Sequence, residues 1–156
     1  MLTAIHTVIC FIAIGLGIPA VRGLLHPAAP QPWAGPFIVA AILATGTGFL
    51  FPFLGVTPAF GTGIVAGLVL LLVVLARYAY HLAGRWRAIY AGGMVISLYL
   101  LVFVLIAQAF QKVPTLNALA PTGSEPPFAI AQVICLAVFA WIGYRAVRSA
   151  RAPMAV

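Results

Sequence analysis

The chain has 156 residues, of which 65% are hydrophobic and 6% charged, and eight Lys and Arg against one acid leave a formal net charge of +7. A soluble monomer cannot keep so much apolar surface dry, so the composition points to an integral membrane protein. The single acid, Glu125, excludes paired-carboxylate hydrolases and aspartyl membrane proteases, which need two. Neither His-Glu-x-x-His nor its inverse occurs, which removes the membrane zinc proteases.

Five apolar stretches, 2–25, 35–54, 60–80, 88–110 and 128–144, approach or exceed the roughly 20 residues needed to cross about 30 Å of hydrocarbon, the fifth being near the lower limit. Each is predicted to be helical, because hydrocarbon offers backbone amides no other partner. The expected fold is all-α: a single bundle of five transmembrane helices with no second domain.

The first stretch lacks the basic n-region of a signal peptide and is read as an uncleaved span. His6 and Cys10, four residues apart, share one face of it, and Pro19 is expected to bend it. Pro27, Pro30 and Pro32 then exclude helix up to Trp33, which opens the second span. There Ala44 and Gly48 form a small-xxx-small pair, and Thr45 and Thr47 are placed to bond back to their own turn. Pro52 is expected to bend or end this helix, beside Phe49, Phe51 and Phe53, read as packing or lipid-facing aromatics. Gly63 and Gly67 on the third span and Gly93 and Ser97 on the fourth invite further close approaches.

The fourth span also carries Tyr99, whose hydroxyl needs a buried partner, and Gln108 and Gln111 near its end. A connection over 111–127 follows, bearing Lys112 and Glu125, and the fifth span holds Gln132 and Cys135 three residues apart.

Seven of the eight basic residues fall in three alternate gaps: Arg22; Arg77, Arg85 and Arg87; and Arg145, Arg148 and Arg151. Basic residues next to membrane segments stay on the cytoplasmic side, so the amino terminus is expected outside and the carboxyl terminus inside. Tyr78, Tyr80, Trp86, Trp141 and Tyr144 mark the same inner border. These charges lie where anionic headgroups lie, which makes membrane lipids, and not nucleic acid, their expected partners. Composition and short loops suit a bacterial inner membrane.

No Asp or Glu lies inside a span, which argues against a proton-coupled carrier, and an odd number of spans argues against the simplest inverted repeat. What the topology gathers in the outer half is His6, Cys10, Gln108, Gln111, Gln132 and Cys135, with Glu125 at the mouth and Tyr99 deeper. The glutamines can simply hold helices in register through a Gln108–Gln132 contact. The functional reading is a non-enzymatic protein that binds an apolar or amphiphilic ligand, lipid or quinone-like, or a membrane partner subunit, through His6, Tyr99, Gln108, Gln111, Glu125 and Gln132.

An alternative of another class is a redox or metal-handling protein using His6, Cys10 and Cys135 with a soft metal such as copper. A third is a channel or carrier for a neutral solute, built as a homo-oligomer. Haem between His26 and His81 is weighed and set aside, since each histidine sits at a helix end where it needs no ligand, and no cofactor is predicted. Met1, Met94 and Met154 are too widely spread for a copper track. The five-span layout resembles that of the tryptophan-rich sensory proteins, small ligand-binding membrane proteins. The Trp and acidic residues that mark them are missing, and no functional residue is carried over.

Overall fold

The computed structural model describes residues 1–26, 30–51 and 58–151. Pro27, Pro52, Phe53 and Met154, singled out above, lie outside them. The elements are α1 (Leu2–Leu24), α2 (Ala34–Phe49), α3 (Pro58–Val74) continued by a π turn over Leu75–Ala79, α4 (Trp86–Lys112), α5 (Pro114–Leu119) and α6 (Pro126–Arg151). The described residues contain no strand.

Four helical segments are long and apolar enough to cross a membrane: α1, α3 with its π turn, α4 and α6. This is the pattern of a multi-pass helical membrane protein. The short segment is the second and not the fifth. At about 1.5 Å per residue, the 16 residues of α2 span about 24 Å. It stops because the backbone turns after Phe49, with the Leu50 and Phe51 amides bonding to the Thr47 and Gly48 carbonyls three residues back. α6 instead reaches 26 residues. It starts on Pro126, whose missing N–H costs nothing in a first turn, and continues through Arg145, Arg148 and Arg151, since arginine is a good helix former.

Successive long helices run antiparallel. α1, α2, α3 and α4 close a ring in which α1 touches α2 and α4, α3 touches α2 and α4, and α6 lies outside, chiefly against α4. Helices in hydrocarbon associate through close van der Waals packing, which small residues permit. Gly17 on α1 shows why: a Cβ there would stand 2.6 Å from a Leu98 methyl and 2.9 Å from the Phe37 ring. Gly63 and Gly67 face Phe49 and Thr45 of α2, and Gly93 faces Val73, so these small-residue faces are internal contacts. Phe37, Ile38, Val73 and Met94 are buried in the middle of the ring. Val8, Phe11 and Ile12 on α1 and Ile130, Val133, Ile134 and Leu136 on α6 are exposed, an outer surface suited to lipid and unsuited to water.

The alternation gathers Arg22, Arg77, Arg85, Arg87, Arg145, Arg148 and Arg151 toward one end of the bundle. There the α3–α4 turn is tight: Tyr80 N–H bonds Leu75 O at 2.9 Å, Leu82 N–H bonds Ala76 O at 2.8 Å, and His81, Leu82 and Gly84 have φ of 48°, 56° and 50°. Tyr80 stacks on Trp86 at 3.8 Å, and Arg77 Nη1 donates to the Tyr90 hydroxyl at 2.9 Å, pinning the two helices together.

Candidate functional site

The opposite end, where α1 begins and α4 finishes, carries the polar residues singled out from the sequence. They occupy separate places around α4.

The first place is between α1 and α2. His6, Cys10, Ala13 and Gly17 recur at helical spacing and share the inward face of α1. His6 Nδ1 lies 2.9 Å from Thr47 Oγ1 on α2, and Cys10 Sγ lies 3.5 Å from His6 Nε2. The Thr47 hydroxyl donates to Leu43 O at 2.7 Å, so its oxygen is left to accept from the imidazole. That assigns the proton to Nδ1 and leaves the Nε2 lone pair facing the thiol. Phe51 meets the imidazole edge-on at 5.3 Å, and Gly48 lies against the ring, where a Cβ would stand at an ordinary contact distance of 3.5 Å from Cε1.

The second place is the seam between α4 and α6. Tyr99 packs on Phe139 at 5.7 Å and on Phe103 at 5.9 Å, and Phe110 meets Phe128 edge-on at 5.5 Å. Gln132 Nε2 donates to the Phe103 carbonyl at 3.1 Å, and Cys135 is buried on the same seam close to Tyr99. Gln132 Oε1 is buried without a hydrogen-bond partner among the described residues.

Gln108 does not join Gln132. It stands two residues before Phe110, about 200° around the helix, and so points away from the α6 side that Phe110 occupies. It shares the face of Gly93 and Ser97, which turns into the ring, and its Oε1 is likewise buried and unpartnered among the described residues. The expected amide pair is therefore replaced by one amide bonded to backbone and another on the far side of α4. The aromatic hydroxyl with a buried partner is that of Tyr90, held by Arg77, where Tyr99 was expected.

The third place is at the end of that seam, where α4, the segment after α5 and the start of α6 form a partly open cavity of about 300 Å³. Ala107, Phe110, Gln111, Ala120, Thr122 and Phe128 line it. Within the connection, α5 is tied to α4 by Asn117 Nδ2 donating to Phe110 O at 3.2 Å. Glu125 is half-exposed and its carboxylate is engaged with its own loop, accepting from Thr122 N–H at 3.0 Å, Thr122 Oγ1–H at 2.9 Å and Ser124 N–H at 3.1 Å. These donors, the Thr122 amide above all, hold its carboxyl below the usual carboxylate range.

Both cysteines are free thiols, and no three His, Cys, Asp or Glu side chains among the described residues gather to hold a metal ion. His26 Nδ1 approaches Arg22 O at 3.3 Å, an interaction within its own helix end. Thr47 is the site residue that sequence reasoning passed over. Its place four residues beyond Leu43 signalled a back-bond, but not that the bonded hydroxyl would orient a histidine forty-one positions away.

Set against protein-family profiles, characterised proteins and solved structures, the chain finds no significant match.

Proposed function

We propose that this is a five-span, non-enzymatic membrane protein, amino terminus outside and arginine-bearing end in the cytoplasm, whose α4–α6 seam receives an amphiphilic small molecule. α2 is the fifth span, and its shortfall is accommodated by local thinning of the bilayer or by tilting of its neighbours. The observation that carries the reading is the cavity of about 300 Å³ beside Gln111, with aromatic rings on one wall and an amide and loop groups on the other. An apolar body fits against Phe110 and Phe128 while Gln111 and Thr122 orient a polar end. Deeper in the seam, the unpartnered Gln132 Oε1 offers an acceptor for a ligand hydroxyl or amide, and Tyr99 offers further aromatic surface. His6 and Gln108 fall on other faces and are left out of this site. The exposed flank of α6 meets lipid or a membrane subunit, and a bacterial inner membrane suits the charge pattern.

The test is native mass spectrometry of the protein released from nanodiscs that keep its native lipids. The wild type is expected to carry a defined small-molecule mass, and the Gln111→Leu/Gln132→Leu double variant to lose it at unchanged helicity. Retention of the adduct by the double variant overturns the placement. A wild-type chain that leaves bare, or only with another polypeptide, replaces ligand binding with a subunit role.

A further inference from the structure

We propose that Cys10 is a reactive thiol, deprotonated by His6 as it attacks and oriented through Thr47, that adds covalently to small apolar α,β-unsaturated carbonyl compounds dissolved in the membrane. The proposal is independent of the α4–α6 cavity, because it rests on a different pair of helices.

The arrangement has the three parts that make a weak nucleophile effective: the nucleophile, a base within reach and a third group fixing the base. Thr47 Oγ1 donates to Leu43 O at 2.7 Å and accepts from His6 Nδ1–H at 2.9 Å. Only one role is left for Nε2, which is to accept from the Cys10 thiol 3.5 Å away. The imidazole cannot turn its protonated nitrogen toward the sulfur without breaking the bond to Thr47.

Depth selects the electrophile. Cys10 is eight residues beyond the start of α1, which at about 1.5 Å per residue puts it about 12 Å along a helix crossing about 30 Å of hydrocarbon. An isolated charge is costly there, so bond formation and proton transfer are expected to be coupled, with His6 receiving the proton as the sulfur attacks. Water-soluble electrophiles and the ester carbonyls of phospholipids lie nearer the interface, whereas enals with an alkyl tail partition into the hydrocarbon. The thiol is half-buried, and its neighbours Phe11 and Ile12 open to the lipid side.

The step balances without an added oxidant or leaving group. Sγ forms a bond to the β-carbon, the carbon–carbon π pair moves toward the carbonyl, the thiol proton passes to Nε2, and Nε2 returns it to the α-carbon. The product is a saturated thioether adduct. Cys135 supplies the internal control: it is equally a free thiol, buried beside Tyr99 and with no imidazole bonded to it among the described residues.

The experiment is to treat the purified full chain in nanodiscs with trans-2-nonenal and to follow intact mass and the modified peptide over time. Wild type and Cys135→Ser are expected to gain one adduct on Cys10, and Cys10→Ser none. His6→Gln is expected to react about 10²-fold more slowly, the usual contribution of a positioned base. Thr47→Val, which keeps the volume and leaves His6 in place, is expected to slow the reaction by a smaller factor. Equal labelling of the two cysteines, no adduct on the wild type, or a wild-type rate in both His6→Gln and Thr47→Val overturns the proposal. Helicity of each variant is measured alongside, and Thr47→Val decides the matter where His6→Gln does not fold.

Discussion

Gly92 and Gly93 are neighbours on α4, yet they look onto two different kinds of contact. A Cβ on Gly93 would stand 2.5 Å from a Val73 methyl inside the four-helix ring, whereas one on Gly92 would stand 3.5 Å from a Val147 methyl on α6, an ordinary contact distance. The ring is closed by backbones pressed together through missing side chains, and the α6 seam by aromatic rings in tilted and edge-on contact, with an amide oxygen left over. A region closed through missing side chains specifies the fold, while one that buries an unsatisfied amide oxygen leaves a polar group for a ligand to meet.

Truncating one ring on each side tests that contrast most sharply. Phe37→Ala, at a fully buried ring position, is expected to cost about 3–5 kcal/mol in detergent unfolding, and Phe139→Ala, half-buried on the seam, clearly less. Equal losses would mean that α6 belongs to the same core. Polar deletions come next. Tyr90→Phe strands the Arg77 guanidinium and is expected to cost about 1.5–3 kcal/mol, whereas Gln132→Leu removes one bond together with an unpaired acceptor and is expected to be within about 1 kcal/mol of neutral. A large loss for Gln132→Leu would restore the register role for that amide.

The two glycines then give the finer comparison. Gly93→Ala is expected to destabilise by about 1–3 kcal/mol through overpacking against Val73. Gly92→Ala, with room for its methyl, is expected to be neutral or to stabilise by up to about 1 kcal/mol through helix propensity. The same sign for both would dissolve the distinction.

The smallest effect is confined to the loop beyond the seam. The folded Glu125 carboxyl lies below its ordinary range, so its contribution to loop order is present above the unfolded pKa and fades as pH falls through the folded one. Protection of the Thr122 and Ser124 amides from exchange should therefore weaken only in acid, without a change in melting temperature, and Glu125→Gln should remove the pH dependence. Loss of protection near neutral pH would show that some other group controls the loop.

Much of the fold was legible because long apolar stretches and small-residue pairs are local signals. Gly63, Gly67 and Gly93 face the helices that their spacing invited. The end of α2 was not legible, since it depends on a turn at Leu50 and Phe51 that an unbroken apolar run conceals. The polar residues were legible in depth but not in azimuth. Counting along α4 and α6 brings Gln108 and Gln132 to neighbouring levels, but only the packing of Phe110 against Phe128 shows which side of α4 faces α6. The pairing of His6 with Thr47 escaped for the same reason, because it joins two helices whose relative rotation no single-helix pattern encodes.

The separation of charge along the bundle has an electrical consequence. Seven positive side chains gather toward one end, while at the other Lys112 and the one acidic side chain, engaged with its own loop, offset each other. The net positive charge is thus concentrated at one end of the bundle axis. In the orientation proposed, an interior-negative membrane potential pulls on the arginine end, and inverting the protein would drag each charge against about 2.3 kcal/mol per 100 mV. In that orientation, the voltage of the living membrane would act as a latch on its topology.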